Sequence, residues 1–132
     1  MKIIAGIVIG LGIIAGLFFL ISDSSPSESS SANDINFTTI QSDLDKGSLL
    51  VDVRTAEEYT VGHIDKSVNL PLADIQTGIM PNSDKSQVIY VYCRSGNRST
   101  QAKNLLEKAG FTNVIDLGAM TSVLAIGGTE VR

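Results

Sequence analysis

Residues 88–99 of the chain read VIYVYCRSGNRS, and this stretch decides the fold. Val88 to Tyr92 is a continuous run of β-branched and aromatic residues, which is typical of a strand buried on both faces of a parallel sheet. A short polar loop follows, and residues 99–109 then place apolar side chains on one side of a predicted helix that stops at Gly110. The order strand, loop, helix is the repeating unit of α/β domains.

Strand and helix signals alternate in the same way on both sides of this stretch. Thr38 with Gln41, and Thr55 with Glu58, have the spacing of a helix-opening capping box. The strand signals lie at residues 49–53, 68–70 and 114–116, and the helix signals at residues 38–47, 55–62 and 72–77. The sequence therefore predicts an α/β fold with a central, mainly parallel sheet and helices on both faces.

The polar loop begins at Cys93, the only cysteine in the chain. Ligands of open α/β sheets bind beyond the carboxyl ends of the strands, and the start of the next helix favours a negative charge there. Arg94 and Arg98 add positive charge, Gly96 permits a tight turn, and we expect Ser99 to cap the helix. All these features stabilise a thiolate, so they favour a reactive cysteine over a buried structural one.

A loop of this kind can turn successive amide N–H groups inward as an anion nest. Such a nest would hold an oxyanion beside the thiolate or stabilise a persulfide formed on it. One cysteine and one histidine leave too few soft ligands for a Cys-rich metal site. The net charge of −4 without a basic cluster argues against a nucleic-acid partner.

The chain resembles the rhodanese family of sulfurtransferases in several stretches. They are LLVDVRTAEEYTVGHI (49–64), VNLPL (68–72), VIYVYCRSGNRSTQAKNLLEKAGFTNV (88–114) and the weaker LGAM (117–120). The resemblance implies a small rhodanese-like α/β domain whose active-site loop starts at the catalytic cysteine and cradles a sulfane sulfur. On this chain that loop comprises Cys93, Arg94, Ser95, Gly96, Asn97 and Arg98.

The family chemistry implied for Cys93 is sulfur transfer without a cofactor. Its thiolate takes the outer sulfur of thiosulfate or a persulfide, and the Cys93 persulfide passes that sulfur to cyanide, a small thiol or a protein thiol. Amides of the loop stabilise the anionic persulfide. Arg94 and Arg98 attract the small anionic donor or brace the loop.

Four further residues match family positions. We expect Asp52 to support the loop by hydrogen bonding to it, and Arg54 and Glu57 to form a structural ion pair. His63 is interpreted as a hydrogen-bonded structural residue rather than a general base, because an ionised thiol needs no base. Ala119 and Val123 stand at the usual glycine and aromatic positions, which affects acceptor specificity more than sulfur chemistry.

Two other functions stay open at this point. A phosphatase or arsenate reductase on the same fold would also use a Cys thiolate and an Arg, but its loop is commonly one residue longer. Here four residues separate Cys93 from Arg98, a tighter loop that suits a single sulfur atom. The second alternative is a non-catalytic binding module, although such rhodanese-like domains often lack the cysteine.

Residues 3–21 form an uninterrupted apolar run that, as a helix, would nearly span the hydrocarbon core of a bilayer. We interpret residues 1–21 as a membrane anchor or, alternatively, a signal peptide. Residues 22–33 are a Ser-rich flexible linker, and residues 34–132 are the domain. Lys2 before the run predicts a domain on the extracytoplasmic side, periplasmic or at the cell surface, and secreted if the N-terminus is cleaved.

Overall fold

The computed structural model describes residues 35–132. The strands are β1 (Leu49–Asp52), β2 (His63–Ile64), β3 (Val68–Asn69), β4 (Ile89–Cys93), β5 (Val114–Ala119) and β6 (Glu130–Val131). The helices are α1 (Phe37–Asp45), α2 (Ala56–Val61), α3 (Leu72–Gln76), α4 (Asn97–Lys108) and α5 (Met120–Ala125). The anchor or signal peptide and the linker predicted for residues 1–33 lie outside the described residues. Within residues 35–132 the structure has no helix that is both long and apolar enough to cross a bilayer.

The main sheet has the strand order β3-β1-β4-β5, and all its neighbouring strands are parallel. This confirms the predicted α/β fold with a mainly parallel sheet. Strands β2 and β6 form a separate antiparallel pair, with His63 opposite Val131. Neither this pair nor helix α5 is predicted from the sequence.

Alternate residues of β4 point to opposite faces of the sheet and enter two separate cores. Val91 and Cys93 pack with residues of α3 and α4, whereas Tyr90 and Tyr92 pack with residues of α1 and α5. Every residue of β4 is buried, as expected for a central strand covered on both faces. The layers therefore hold β4 rigidly, and its last residue is Cys93.

Two of the three predicted helix caps are wrong. Helix α1 is capped by Asn36, whose side chain accepts from the amide of Thr39, so the proposed box at Thr38 does not form. Helix α4 begins at Asn97, two residues before Ser99, and its N-cap is Gly96, which has no capping side chain. The box at Thr55 is confirmed: Thr55 and Glu58 each accept a hydrogen bond from the other's backbone amide.

Candidate active site

Cys93 lies at the carboxyl end of β4 with no exposed surface. Although its side chain borders the apolar core, its sulfur meets polar groups of the following loop. The amide of Gly96 donates a hydrogen bond to Cys93 Sγ at 2.9 Å, and the hydroxyl of Ser99 lies 3.7 Å from the same sulfur. Gly96 has φ +95°, a conformation that favours glycine, and this turn aims its amide back at the sulfur.

The electrostatics of the loop favour the thiolate of Cys93. Burial raises the pKa of the thiol, but contacts of the sulfur with the Ser99 amide and hydroxyl and with the Gly96 and Ser95 amides lower it more. The resulting pKa is below the ordinary value of a cysteine thiol. The Gly96 amide lies at hydrogen-bond distance from Sγ, so one donor of the predicted nest is in place, and the stabilisation comes from the loop rather than from arginine side chains.

The two arginines of the loop are used differently. Arg98 donates to both carboxylate oxygens of Glu58, at 2.6 and 2.9 Å. Arg94 is exposed, and within the described part of the chain it forms no ion pair. Arg98 thus links the start of α4 to α2 through Glu58, whereas Arg94 is exposed beside Cys93.

Glu58 is a site residue that the sequence analysis did not identify as such. Its pKa is lowered to about 2, chiefly by the hydrogen bond from Arg98. The capping box identifies Glu58 as a residue at the start of a helix. A local pattern cannot show that its partner is Arg98, far along the chain.

The remaining loop residues fall into two groups. Ser95 and Asn97 are exposed, and the Asn97 side chain accepts from Gln101 rather than facing the sulfur. Ser99 is fully buried, and its hydroxyl donates to the carbonyl of Gly96 at 3.0 Å. The predicted capping role of Ser99 is wrong, because Ser99 lies inside α4 and acts on the turn and the sulfur instead.

The end of β1 differs from the prediction in two ways. Asp52 accepts hydrogen bonds from the Arg54 amide and guanidinium, and among the described residues its carboxylate makes none to the Cys93 loop. Arg54 pairs with Asp52 at 2.6 Å and not with Glu57, which is exposed. Residues two apart at the end of a strand lie on the same face, which places the Asp52 and Arg54 side chains side by side.

His63 makes structural contacts. Its ring stacks on that of Tyr59, with 3.8 Å between centroids, and its Nδ1 lies 3.0 Å from the Tyr59 carbonyl oxygen. These contacts support the interpretation of His63 as a hydrogen-bonded structural residue. In residues 35–132 the structure groups no three His, Cys, Asp or Glu side chains in a way that could hold a metal.

The two departures near the C-terminus occupy different places. Ala119 ends β5 directly beside Cys93 in the parallel register, and a Cβ on Gly96 would lie 3.6 Å from the Cα of neighbouring Gly118. Val123 belongs to α5 and is fully buried in the core that this helix shares with α1 and the sheet. Ala119 therefore borders the loop, whereas Val123 contributes to packing.

The thiol of Cys93 lies at the end of a parallel strand, next to an amide donor that precedes a helix, an arrangement that places the protein among α/β proteins with a cysteine loop at the carboxyl edge of the sheet. The family model described as the rhodanese-like domain matches residues 37–122. The chain belongs to the rhodanese-like domain family.

Similar proteins of known sequence include sulfurtransferases. The thiosulfate sulfurtransferase PspE of Escherichia coli is 34% identical over 55% of this chain and 71% of its own length. The thiosulfate:glutathione sulfurtransferase of Saccharomyces cerevisiae is 30% identical over 66% of this chain and 72% of its own length. The chain spans a smaller share of other curated relatives, such as 58% of a putative mitochondrial thiosulfate sulfurtransferase of Schizosaccharomyces pombe.

Solved structures show the same fold. The Alr3790 protein of Anabaena sp. is 33% identical with a TM-score of 0.62, over 74% of this chain and 79% of that one. A rhodanese of E. coli crystallised with anions is 30% identical with a TM-score of 0.54, over 64% of this chain and 98% of that one.

Proposed function

We propose that the protein is a sulfurtransferase that carries a sulfane sulfur as a persulfide on Cys93. The observation that carries this proposal is the contact of Cys93 Sγ with the Gly96 amide at 2.9 Å, within a nest that lowers the pKa of the thiol. A thiolate is the form of cysteine that attacks sulfur. The similarity of this chain to the sulfurtransferase PspE of E. coli and to two yeast sulfurtransferases, one of them putative, supports the same reaction class.

In the first half-reaction the Cys93 thiolate attacks the outer sulfur of thiosulfate or of a donor persulfide. The new bond joins Cys93 Sγ to that sulfur, and the donor's own sulfur–sulfur bond breaks. The electron pair of the broken bond leaves with sulfite or with the donor thiolate. The Cys93 persulfide that remains is anionic, so the same amides that favour the thiolate also stabilise it.

In the second half-reaction an acceptor attacks the outer sulfur of the persulfide. Cyanide forms thiocyanate, and a thiolate forms a new persulfide on the acceptor. In both cases the persulfide bond breaks and its electron pair returns to Cys93 Sγ. Hydrogen bonds from the loop make this thiolate a good leaving group, and the cycle is closed without a cofactor.

In this proposal Arg94 attracts and binds the anionic sulfur donor. It is exposed, it follows Cys93 directly, and within the described residues its charge is not neutralised by an acidic side chain. A free guanidinium attracts dianionic thiosulfate and binds its oxygens in pairs. A loop with four residues between Cys93 and Arg98 has room for one sulfur rather than for a tetrahedral oxyanion.

Mass spectrometry of the full chain tests the reaction. Thiosulfate should add one sulfur atom to the protein, cyanide should remove it, and the Cys93→Ser variant should gain none. If neither thiosulfate nor any persulfide donor adds a sulfur atom, catalysis is refuted and a binding module is favoured. Hydrolysis of an aryl phosphate in place of sulfur gain would identify a phosphatase.

We further propose that residues 3–21 anchor the protein in a membrane and that the domain lies on the extracytoplasmic side. The support is the length of the apolar run and the single Lys2 before it. A tag at Arg132 should then be cut by protease added to intact cells stripped of any wall or outer membrane. A protected tag would refute this topology, and release of the domain into the medium would indicate cleavage.

A further inference from the structure

Arg98 occupies a position in α4 that helix electrostatics do not favour. It lies in the first turn of the helix, where the macrodipole places partial positive charge and no acidic residue is present. A cation at this position destabilises an isolated helix. Because Arg98 is unfavourable for its own helix, its contribution must come from contacts outside α4.

The carboxylate of Glu58 compensates for this cation and fixes its position. Arg98 donates to both oxygens of Glu58, and Glu58 Oε2 also accepts from the amide of Thr55 at 3.0 Å. The capping box of α2 therefore orients the carboxylate before it meets the arginine. A paired, planar contact of this kind fixes the direction of a guanidinium much better than a single bond does.

The pair stands at an accessible surface next to the cysteine loop. Arg98 lines a surface cavity of about 220 Å³. Glu58 lines a different one of about 240 Å³, shared with Arg94. The pKa of Arg98 is raised chiefly by its hydrogen bond to Glu58, and the charge of Cys93 raises it further. Glu58 holds the Arg98 guanidinium at the start of α4, and the negative charge of a Cys93 thiolate favours the charged form of Arg98.

We infer that Glu58 is a positioning residue for the sulfur-transfer site, because it holds the Arg98 guanidinium where it supports the Cys93 loop and its anionic donor. This inference rests on the proposed sulfurtransferase function. Glu58 does not touch the reacting atoms; it acts through Arg98. Its own negative charge opposes an anion nearby, so positioning and simple electrostatics predict opposite effects when that charge is removed.

The test compares Glu58→Gln with Glu57→Gln in the full chain. Glu57 is the exposed neighbour in the same first turn of α2, so its substitution removes the same charge without touching Arg98. We expect Glu58→Gln to lower kcat/KM for thiosulfate about tenfold and to raise the pKa of the Cys93 thiol, because a displaced group costs about this much or more. Glu57→Gln should change neither quantity.

A charge-swapped variant separates positioning from fold stability. Glu58→Arg combined with Arg98→Glu recreates an ion pair between α2 and α4, and it places an acid in the first turn of α4. We expect the double variant to unfold a few degrees below wild type, because an arginine cannot accept the Thr55 amide of the capping box, and to keep the low kcat/KM and the raised thiol pKa. Recovery of both by the swap would show that Glu58 is only structural.

Other outcomes decide the inference equally clearly. A lower thiol pKa or a higher kcat/KM in Glu58→Gln would show that its charge opposes the anion without positioning Arg98. Equal effects of Glu58→Gln and Glu57→Gln would also refute it. If wild type forms no persulfide, the proposed function fails instead, and the thiol titration of the same variants still tests the positioning.

Discussion

The ends of β1 and β4 lie side by side in the sheet and follow the same plan, but only one of them is built for chemistry. Each strand ends in a turn that leads into a helix. At β1 the Arg54 amide donates to the Asp52 carboxylate at 2.9 Å, and at β4 the Gly96 amide donates to Cys93 Sγ, also at 2.9 Å. The sulfur of Cys93 thus takes the place that a carboxylate has in the neighbouring turn.

The difference lies in how each anion is neutralised. The carboxylate of Asp52 is fully buried and held by the Arg54 guanidinium, which also donates to the Gly62 carbonyl oxygen. The Cys93 thiolate is stabilised chiefly by backbone amides of its loop, while Arg98 is already paired with Glu58. Asp52 is therefore committed to a buried structural pair, whereas the Cys93 sulfur keeps a lone pair that is free to attack a donor.

The largest effect is expected from Cys93→Ser, which removes the reactive anion but keeps an acceptor for the Gly96 amide. Persulfide formation and sulfur transfer should fall to background, because an alcohol is not ionised at neutral pH. The free energy of unfolding should change by only about 1 kcal/mol. A thiosulfate:cyanide assay and chemical denaturation measure the two quantities. Residual transfer well above background would place the nucleophile elsewhere.

Disrupting the turn after β1 should have the opposite result, a loss of stability with little change in persulfide formation. Asp52→Asn leaves the buried Arg54 without a counter-charge, which should cost about 3 kcal/mol of unfolding free energy. The protein that stays folded should form the Cys93 persulfide at a rate close to wild type. The double variant Asp52→Leu with Arg54→Met should recover much of the stability, since a buried pair is replaceable by apolar groups. A loss below about 1 kcal/mol in Asp52→Asn would contradict the structural role of the pair.

Gly96→Ala should weaken both stability and chemistry. Its φ of +95° strains an alanine, while the new Cβ meets only ordinary contacts, so we expect a loss of about 1 kcal/mol. The turn should also shift the amide away from Cys93, raise the thiol pKa and slow persulfide formation. Gly78→Ala is the matched control, because Gly78 has φ +98° and open space around it. Equal rates in both variants would show that the turn at Gly96 does not act on the sulfur.

The smallest expected effect is on the free energy of unfolding in acid, through the ion pair between Glu58 and Arg98. The pKa of Glu58 is about 2, below the ordinary 4.5, so its contribution to folding is complete above pH 4.5 and is lost as the pH falls toward 2. Wild type should exceed Glu58→Gln by about 1 kcal/mol near neutral pH, since both side chains are partly exposed. Denaturation series should show this gap closing in acid. A gap that stays constant down to pH 2 would contradict the linkage.

Much of the fold and the loop could be predicted from the sequence because their signals are local. The apolar run of β4, the capping box at Thr55 and the glycine of the Cys93 loop each depend on neighbouring residues only. Strands β2 and β6 carry no such signal: each has two residues and exists only because the other, far along the chain, pairs with it.

The side-chain partners of the site were harder to predict. The sequence predicts that Asp52 reaches the loop and that Arg54 reaches Glu57, but the two side chains pair with each other instead. Ser99 was assigned to a helix cap because α4 was expected to start later than it does. The pairing of Glu58 with Arg98 joins two helices and has no sequence spacing of its own. These contacts are set by tertiary packing rather than by local preference.

The thiol pKa of Cys93 is the most direct measurement of the difference between the two turns. Because the chain has one cysteine, the ultraviolet absorbance of the thiolate reports on Cys93 alone once the signal of the Cys93→Ser variant is subtracted. The thiol is titrated once in the folded chain and once in the chain unfolded by denaturant. It should ionise at a lower pH in the folded chain, because the loop stabilises the thiolate. A folded thiol that ionises at the same or a higher pH than the unfolded one would contradict the account.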